Sequence, residues 1–511
     1  MNAAAHTLLP SRADAASSVA RAIERPLPAS LGACALIHGV LDAAECAALI
    51  AAAEARGFAG AGGDYPPSYR NNDRQVLDDP ALAQRLFERL REHAPAELAD
   101  ADGTRWRLAS LNERLRLCRY RPGQRFNIHQ DGVHHRGPDL RSRLTFMIYL
   151  TDGAAFVGGD TLFYARGPGR SGEADGEPLA RVRPRAGTLI LFDHALWHAG
   201  EAVTAGVKHL LRSDLMYRRI DDHREAAQAT RAEAPFAPGH DGYVWTLARL
   251  DDGRIASAGR DAQVRLWSGD GRELARLSGH AQSVLGLCEL PGARLATVSR
   301  DRCLRIWSLD DGRCLRSAVA HGAAALCLAR LGDGRFASGG ADGGIALWRD
   351  DGEPLQAWNA HAGWVWSLSA LAAHHLVSAS EDGLLAWWDA DRRARIAALD
   401  SGAPLRSADA HADGERIAFA GVDGRIGIAR AADGELRGLH GWPGHEAAVR
   451  KVRWLDRDRL VSCGEDGRVR VWDRDGALLQ ERRHDNFATD AMALDDGRLL
   501  SCGYDGVLRT G

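Results

Sequence analysis

Lysine is almost missing from this chain: of 65 basic residues only Lys208 and Lys451 are lysines. Where arginine is used nearly everywhere, a lone ammonium marks a place that a planar guanidinium does not suit. An excess of charge is missing as well. A formal net charge of −3 over 511 residues gives no basic field for a nucleic-acid backbone, so no nucleic-acid partner is expected. The nine cysteines form no Cys-x-x-Cys pair, which fits free, mostly buried thiols in a reducing compartment, the cytoplasm. Residues 1–20 have no basic stretch followed by a long apolar core, and the apolar segment 31–53 is interrupted by His38, Asp42 and Glu45. No signal peptide and no membrane span are expected. The length exceeds what one ordinary core serves and predicts two or three domains.

What is present concentrates between Tyr120 and Lys208. His129 and Asp131 are two residues apart, so on a strand they share a face, and a neighbouring strand can add His198. Two histidines and one carboxylate leave coordination positions open, which suits Fe(II) that must also take a cosubstrate and O2. Structural zinc takes a closed tetrahedral set instead. His194, four residues before His198, is the alternative distal ligand. A second His-x-Asp pair, His411 and Asp413, has no companion segment downstream.

The wider constellation adds specificity: Tyr120, Gly123 and Phe126 before the first pair, GGDT at 158–161, HAG at 198–200, and Lys208. With these, the stretch from Gly39 to Tyr217 resembles the 2-oxoglutarate/Fe(II) dioxygenases of the prolyl 4-hydroxylase type. The resemblance implies a double-stranded β-helix, a jelly-roll or cupin-like fold with flanking helices, in which His129, Asp131 and His198 bind Fe(II). It further implies that Lys208 pairs with the distal carboxylate of 2-oxoglutarate, with Tyr120 and Tyr149 hydrogen-bonding it, that O2 is the second cosubstrate and that ascorbate (vitamin C) is the reductant. Arg212, on the strand face of Lys208, is the alternative carboxylate partner. In the resembling family, loops near residues 57–79 close over substrate, which places Tyr65, Tyr69 and Arg70 on its path.

Along the chain, residues 1–25 read as a mobile tail and 26–220 as the oxygenase domain. Ala35–Leu41 reads as a strand, and Asp42 with Glu45 has the spacing of a capping box for a helix ending at Arg56 before Gly57. Asp79 and Pro80 open a second helix that buries Leu82, Leu86 and Leu90. The segment 57–79 is too polar and too rich in glycine and proline to predict a regular element, and 165–187 reads as a long connection. Further strands are expected at 115–120, 144–150, 188–192 and 209–217. Residues 221–238 read as a linker.

From Gly239 to 511 the sequence repeats about every 40 residues. Aspartates fall at 261, 301, 342, 382, 423, 466 and 505, with a histidine 21 residues earlier in six of the seven units. Tryptophans follow at 267, 307, 348, 388 and 472, and a Ser or Thr stands four before six of the aspartates. The period and signature resemble WD repeats, and imply a mainly β chain of two domains ending in a seven-bladed propeller. The fifth unit departs, with Gly402, Phe419 and Ala429 in place of the histidine, serine and tryptophan. Residues 231–236 are expected to supply the missing outer strand of the last blade. Tyr243, Trp245, Trp364 and Trp366 are candidates for a face that meets a protein or peptide partner, with core packing of the repeats as the alternative.

The function expected from these features is hydroxylation of a C–H bond in a protein or peptide, with the propeller as platform. Hydroxylation of a free amino acid or other small molecule, and a non-catalytic scaffold with a vestigial oxygenase, are the alternatives.

Overall fold

In the computed structural model the described residues are 22–511, except 64, 101–102, 137–138, 169–173, 175, 221–235, 238 and 373. The chain is mainly β and falls into two compact units, the second taking in everything described from Phe236 on. Among the described residues no helix is long and apolar enough to cross a membrane.

The first unit runs β1 (Ile23–Glu24), β2 (Cys34–Ile37), α1 (Ala43–Arg56), β3 (Ala59–Gly60), β4 (Asp73–Asp78), α2 (Pro80–Leu90), β5 (Glu97–Ala99) and β6 (Arg105–Leu111). It continues with β7 (Arg114–Tyr120), β8 (Phe126–His129), β9 (Leu140–Tyr149), β10 (Phe156–Gly158), β11 (Thr161–Tyr164) and β12 (Ala180–Val182). It ends with β13 (Leu189–Asp193), β14 (Trp197–Gly200), β15 (Val203–Gly206) and β16 (Lys208–Arg219). A ten-stranded sheet follows the order β1-β2-β13-β9-β16-β7-β4-β3, with β6 beside β16 and β5 beside β6. A four-stranded sheet, β12-β11-β14-β8, and the pair β10-β15 stand apart from it. These ladders stay separate and do not close into one hydrogen-bonded cylinder.

Alternation along the strands decides what each face covers. Leu189 and Leu191 of β13 and Phe146 and Ile148 of β9 join a core with Leu49 of α1 and Leu86 of α2. Their neighbours Ile190, Phe192, Met147 and Tyr149 join a second core with Phe126 of β8 and Phe163 of β11. The large sheet is therefore covered on both faces, by helices on one and by the small sheet on the other. The helices begin as their sequence dictates. Asp42 accepts from the Glu45 amide while Glu45 accepts from the Asp42 amide, and Asp79 caps α2 with Pro80 in its first turn.

Three local expectations fail because pairing overrides composition; in one, Ala180–Val182, inside the expected connection 165–187, pairs with β11. The polar stretch 57–79 contains β4, which pairs along β7 and is tied to it by Arg119 bonding Asp73 at 2.8 Å. Ile23–Glu24, inside the stretch expected to be a tail, pairs with β2. Residues 1–21 lie outside the described residues.

Among its described residues the second unit contains six four-stranded antiparallel sheets and one of three strands. Every sheet shares a buried cluster with the next, and the seventh packs on the first through Met492, Leu500 and Leu508 against Val244, Leu247 and Trp267. Each complete repeat holds one hydrogen-bonded chain. In the fourth, the Trp388 indole donates to Ser378 at 2.8 Å, Ser378 faces His361 Nε2 at 2.7 Å, and His361 Nδ1 faces Asp382 at 3.0 Å. Neutral imidazole carrying its proton on Nδ1 satisfies every donor and acceptor in that chain. In the fifth sheet Phe419 stands opposite Gly427, where an added Cβ would lie 2.4 Å from the ring. A cavity of about 250 Å³ adjoins it, lined in part by Asp423, Arg425 and His440. The segment expected to complete the seventh sheet lies outside the described residues as far as 235. Phe236 itself is not in a strand: its amide bonds the Gly271 carbonyl at 2.7 Å and its ring packs on Trp267.

Candidate metal centre

Strands β8 and β14 are antiparallel neighbours with His129 opposite His198. Asp131 follows β8 and is drawn to the same place by its amide, which bonds the His194 carbonyl at 3.0 Å. The three side chains are buried, and one ligand atom from each lies within 4.8 Å of the other two. The histidines are oriented before anything binds. His129 Nδ1 bonds the Asn127 carbonyl at 2.7 Å and His198 Nδ1 bonds the Leu196 carbonyl at 2.9 Å. Each Nδ1 therefore carries the proton, and each Nε2 presents a lone pair. Both Nε2 atoms face Asp131, at 3.6 Å from His129 and 3.5 Å from His198. His129 Nε2 is a buried nitrogen without a hydrogen-bond partner.

Charge states suit a cation. Burial pushes the His198 imidazolium down to about 3, helped by His129 beside it, and burial lowers His129 as well. Burial alone would raise the Asp131 acid, but Arg212 and the two histidines outweigh it and hold it well below the usual carboxylate range. Two neutral imidazoles and one carboxylate are a donor set that fits Fe(II). The large sheet fixes the carboxylate: Thr145 of β9 donates to one oxygen at 2.5 Å, and Arg212 of β16 pairs with the other. Aromatic rings close the surroundings, Phe126 stacked on His129 at 3.7 Å and Phe192 edge-on to His198 at 4.6 Å.

Lys208 lies opposite Tyr120 in the β16–β7 register and is 2% exposed. Its ammonium bonds the Gly159 carbonyl at 2.5 Å and sits 5.4 and 5.6 Å from the ring centroids of Tyr120 and Tyr149. Burial pushes this lysine down to about 8, against the pull of Asp160. The Tyr149 hydroxyl donates to Thr161 at 2.7 Å. Gly158 and Gly159 both hold positive φ, and a Cβ on Gly158 would lie 2.2 Å from the Ala202 carbonyl oxygen. That turn sets the Gly159 carbonyl in front of the ammonium.

Residues 115–213 match the family model described as the 2OG-Fe(II) oxygenase superfamily. The first unit carries a 2OG-Fe(II) oxygenase domain. Segments 235–268, 271–308, 352–389 and 437–473 match the WD domain, G-beta repeat, so WD40 repeats follow the oxygenase domain. Comparison with curated proteins finds no match.

Within the oxygenase domain, the structure brings together His129, Asp131 and His198 at one place and Lys208, Tyr120 and Tyr149 at another. Of the two alternatives, one lies apart from the triad and the other against it. His194 is buried 3.8 Å from Asp214 and outside the triad. Arg212 is engaged by Asp131. Sequence reasoning missed Thr145, since a threonine in an apolar strand carries no signal until the strand crossing beside Asp131 is known.

Proposed function

We propose that the chain is a 2-oxoglutarate- and Fe(II)-dependent dioxygenase of the prolyl 4-hydroxylase type that hydroxylates a C–H bond of a protein or peptide. The carrying observation is the pair of Nε2 lone pairs aimed at Asp131, one of them a buried nitrogen with no other partner. His129, Asp131 and His198 would hold the iron. When bound, Fe(II) with 2-oxoglutarate and O2 supplies the oxidising power for hydroxylation, and ascorbate keeps the metal reduced.

The chain's own residues do the placing. Lys208 binds the distal carboxylate of the cosubstrate through a charge-assisted bond, in a pocket walled by Tyr120 and Tyr149. Thr145 and Arg212 fix both Asp131 oxygens, so the carboxylate keeps one orientation and stays ionised. Phe126 and Phe192 keep water from the imidazoles. The fold of this domain is the double-stranded β-helix, a reading supported by the small sheet packed on one face of the large one. For the second unit a seven-bladed propeller is supported by the packing of the seventh sheet on the first. Its role is to hold a protein or peptide partner. The nine unpaired cysteines accord with the cytoplasm.

A His198→Ala variant of the full chain, able to dock substrate without turning it over, should capture a polypeptide that wild-type protein then converts to a product heavier by one oxygen atom. Capture without that mass gain under Fe(II), 2-oxoglutarate and ascorbate would count against a protein substrate.

A further inference from the structure

Four arginines are buried among the described residues: Arg70, Arg89, Arg141 and Arg265. Three of them pair with carboxylates, Arg89 with Glu45, Arg141 with Asp100 and Arg265 with Glu273. Arg70, 3% exposed, has only neutral partners. Its Nε donates to the Asn72 amide oxygen at 2.6 Å and its Nη2 to the Cys118 thiol at 3.3 Å. Its guanidinium lies 4.3 Å from the Phe126 ring centroid and 5.5 Å from that of Tyr65. A guanidinium keeps its charge at any accessible pH, and a buried charge without a counter-ion is costly. The position is nonetheless built. Tyr69 and Arg70 are stitched to the edge of β8, with the Asn127 amide on the Tyr69 carbonyl at 2.8 Å and an Arg70–Phe126 bridge.

Its surroundings say what completes it. Cys118 and Tyr120 alternate on the inner face of β7, opposite Leu210 and Lys208 of β16. Arg70 lies against Cys118 and Tyr120, and Lys208 lies against Tyr120 from its own side. Phe126, under the Arg70 guanidinium, also stacks on His129. Two buried cations therefore border the candidate centre, and neither has a carboxylate within bonding distance among the described residues. The only carboxylate of the triad, Asp131, is already paired by Arg212.

We propose that Arg70 is a carboxylate-binding residue of this site, its fork completed by an acid group of the bound organic acid. This rests on the oxygenase reading and extends it. The acid group belongs either to 2-oxoglutarate or to the molecule being oxidised, and a planar bidentate fork serves both.

The test uses the full chain with Mn(II) in place of Fe(II) and calorimetry as readout. Wild type, Arg70→Gln and Arg70→Lys are titrated with 2-oxoglutarate, then, at saturating 2-oxoglutarate, with N-acetylproline and its amide. Loss of at least about tenfold in 2-oxoglutarate affinity in Arg70→Gln, partly restored in Arg70→Lys, assigns the fork to the cosubstrate. Unchanged 2-oxoglutarate affinity with loss of an acid-over-amide preference assigns it to the substrate. Should Arg70→Gln lose its metal stoichiometry or its thermal transition, Arg70→Lys decides by the same two readouts, since it keeps the charge and lacks the fork. A folded, Mn(II)-loaded variant that binds every probe as wild type does overturns the proposal. Wild type that binds neither Mn(II) nor 2-oxoglutarate overturns the oxygenase reading itself.

Discussion

At the scale of single residues the candidate centre depends on where protons and charges sit. Two imidazoles keep their protons on Nδ1 because backbone carbonyls accept there, so replacing either His129 or His198 by alanine should abolish stoichiometric Fe(II) binding, read by metal analysis after gel filtration. Lys208 makes a different prediction. Its ammonium lies at about 8 in the ligand-free protein, so it is charged below that pH and neutral above. A carboxylate needs the charged form; 2-oxoglutarate affinity should therefore be flat below pH 8 and fall up to about tenfold per unit above it. Lys208→Ala should weaken binding about 10–100-fold, the worth of one charge-assisted bond, and should remove that pH dependence. His129, Asp131, His198 and Lys208 were legible in the sequence because their types and spacing are distinctive. Thr145, and the engagement of Arg212 by Asp131, were not, since each depends on which strand of the large sheet crosses beside β8.

At the scale of elements, the repeat chains of Trp, Ser or Thr, His and Asp act as units. Ser378 serves two buried partners at once, the Trp388 indole and the His361 ring. Ser378→Ala leaves both unsatisfied and should destabilise the protein by about 2–4 kcal/mol in a denaturant titration, at one to two per stranded group. The turn aspartates predict an acid limit. Burial works against Asp342 and Asp382, but their histidine and backbone hydrogen bonds outweigh it and lower both from 3.8 to about 2. Between those values the unfolded chain binds more protons than the folded one. Their contribution is thus whole above about pH 4 and is lost as pH falls through about 2, a loss that fluorescence of the buried tryptophans should follow. These repeats were legible because each needs its full polar set together. The strand β4 was not, because its residues are polar and only pairing with β7 makes it a strand.

At the scale of the whole molecule, the spacing of Asp, His, Ser or Thr, and Trp separated an irregular half from a periodic one, and the structure has two compact units, the second taking in everything described from Phe236 on. What the repeat spacing could not convey was the contact between the last sheet and the first: seven sheets follow from a count of aspartates, but their packing depends on Met492, Leu500 and Leu508, which no repeat signature marks. The claim that the first unit is a working oxygenase is tested most directly by O2-dependent release of succinate from 2-oxoglutarate. Purified full-length protein with Fe(II) and ascorbate should release succinate, His198→Ala should release none, and Lys208→Ala should recover part of the rate at high 2-oxoglutarate. Succinate release by His198→Ala equal to wild type, or no succinate from wild type together with no binding of Fe(II) or 2-oxoglutarate, would contradict the account.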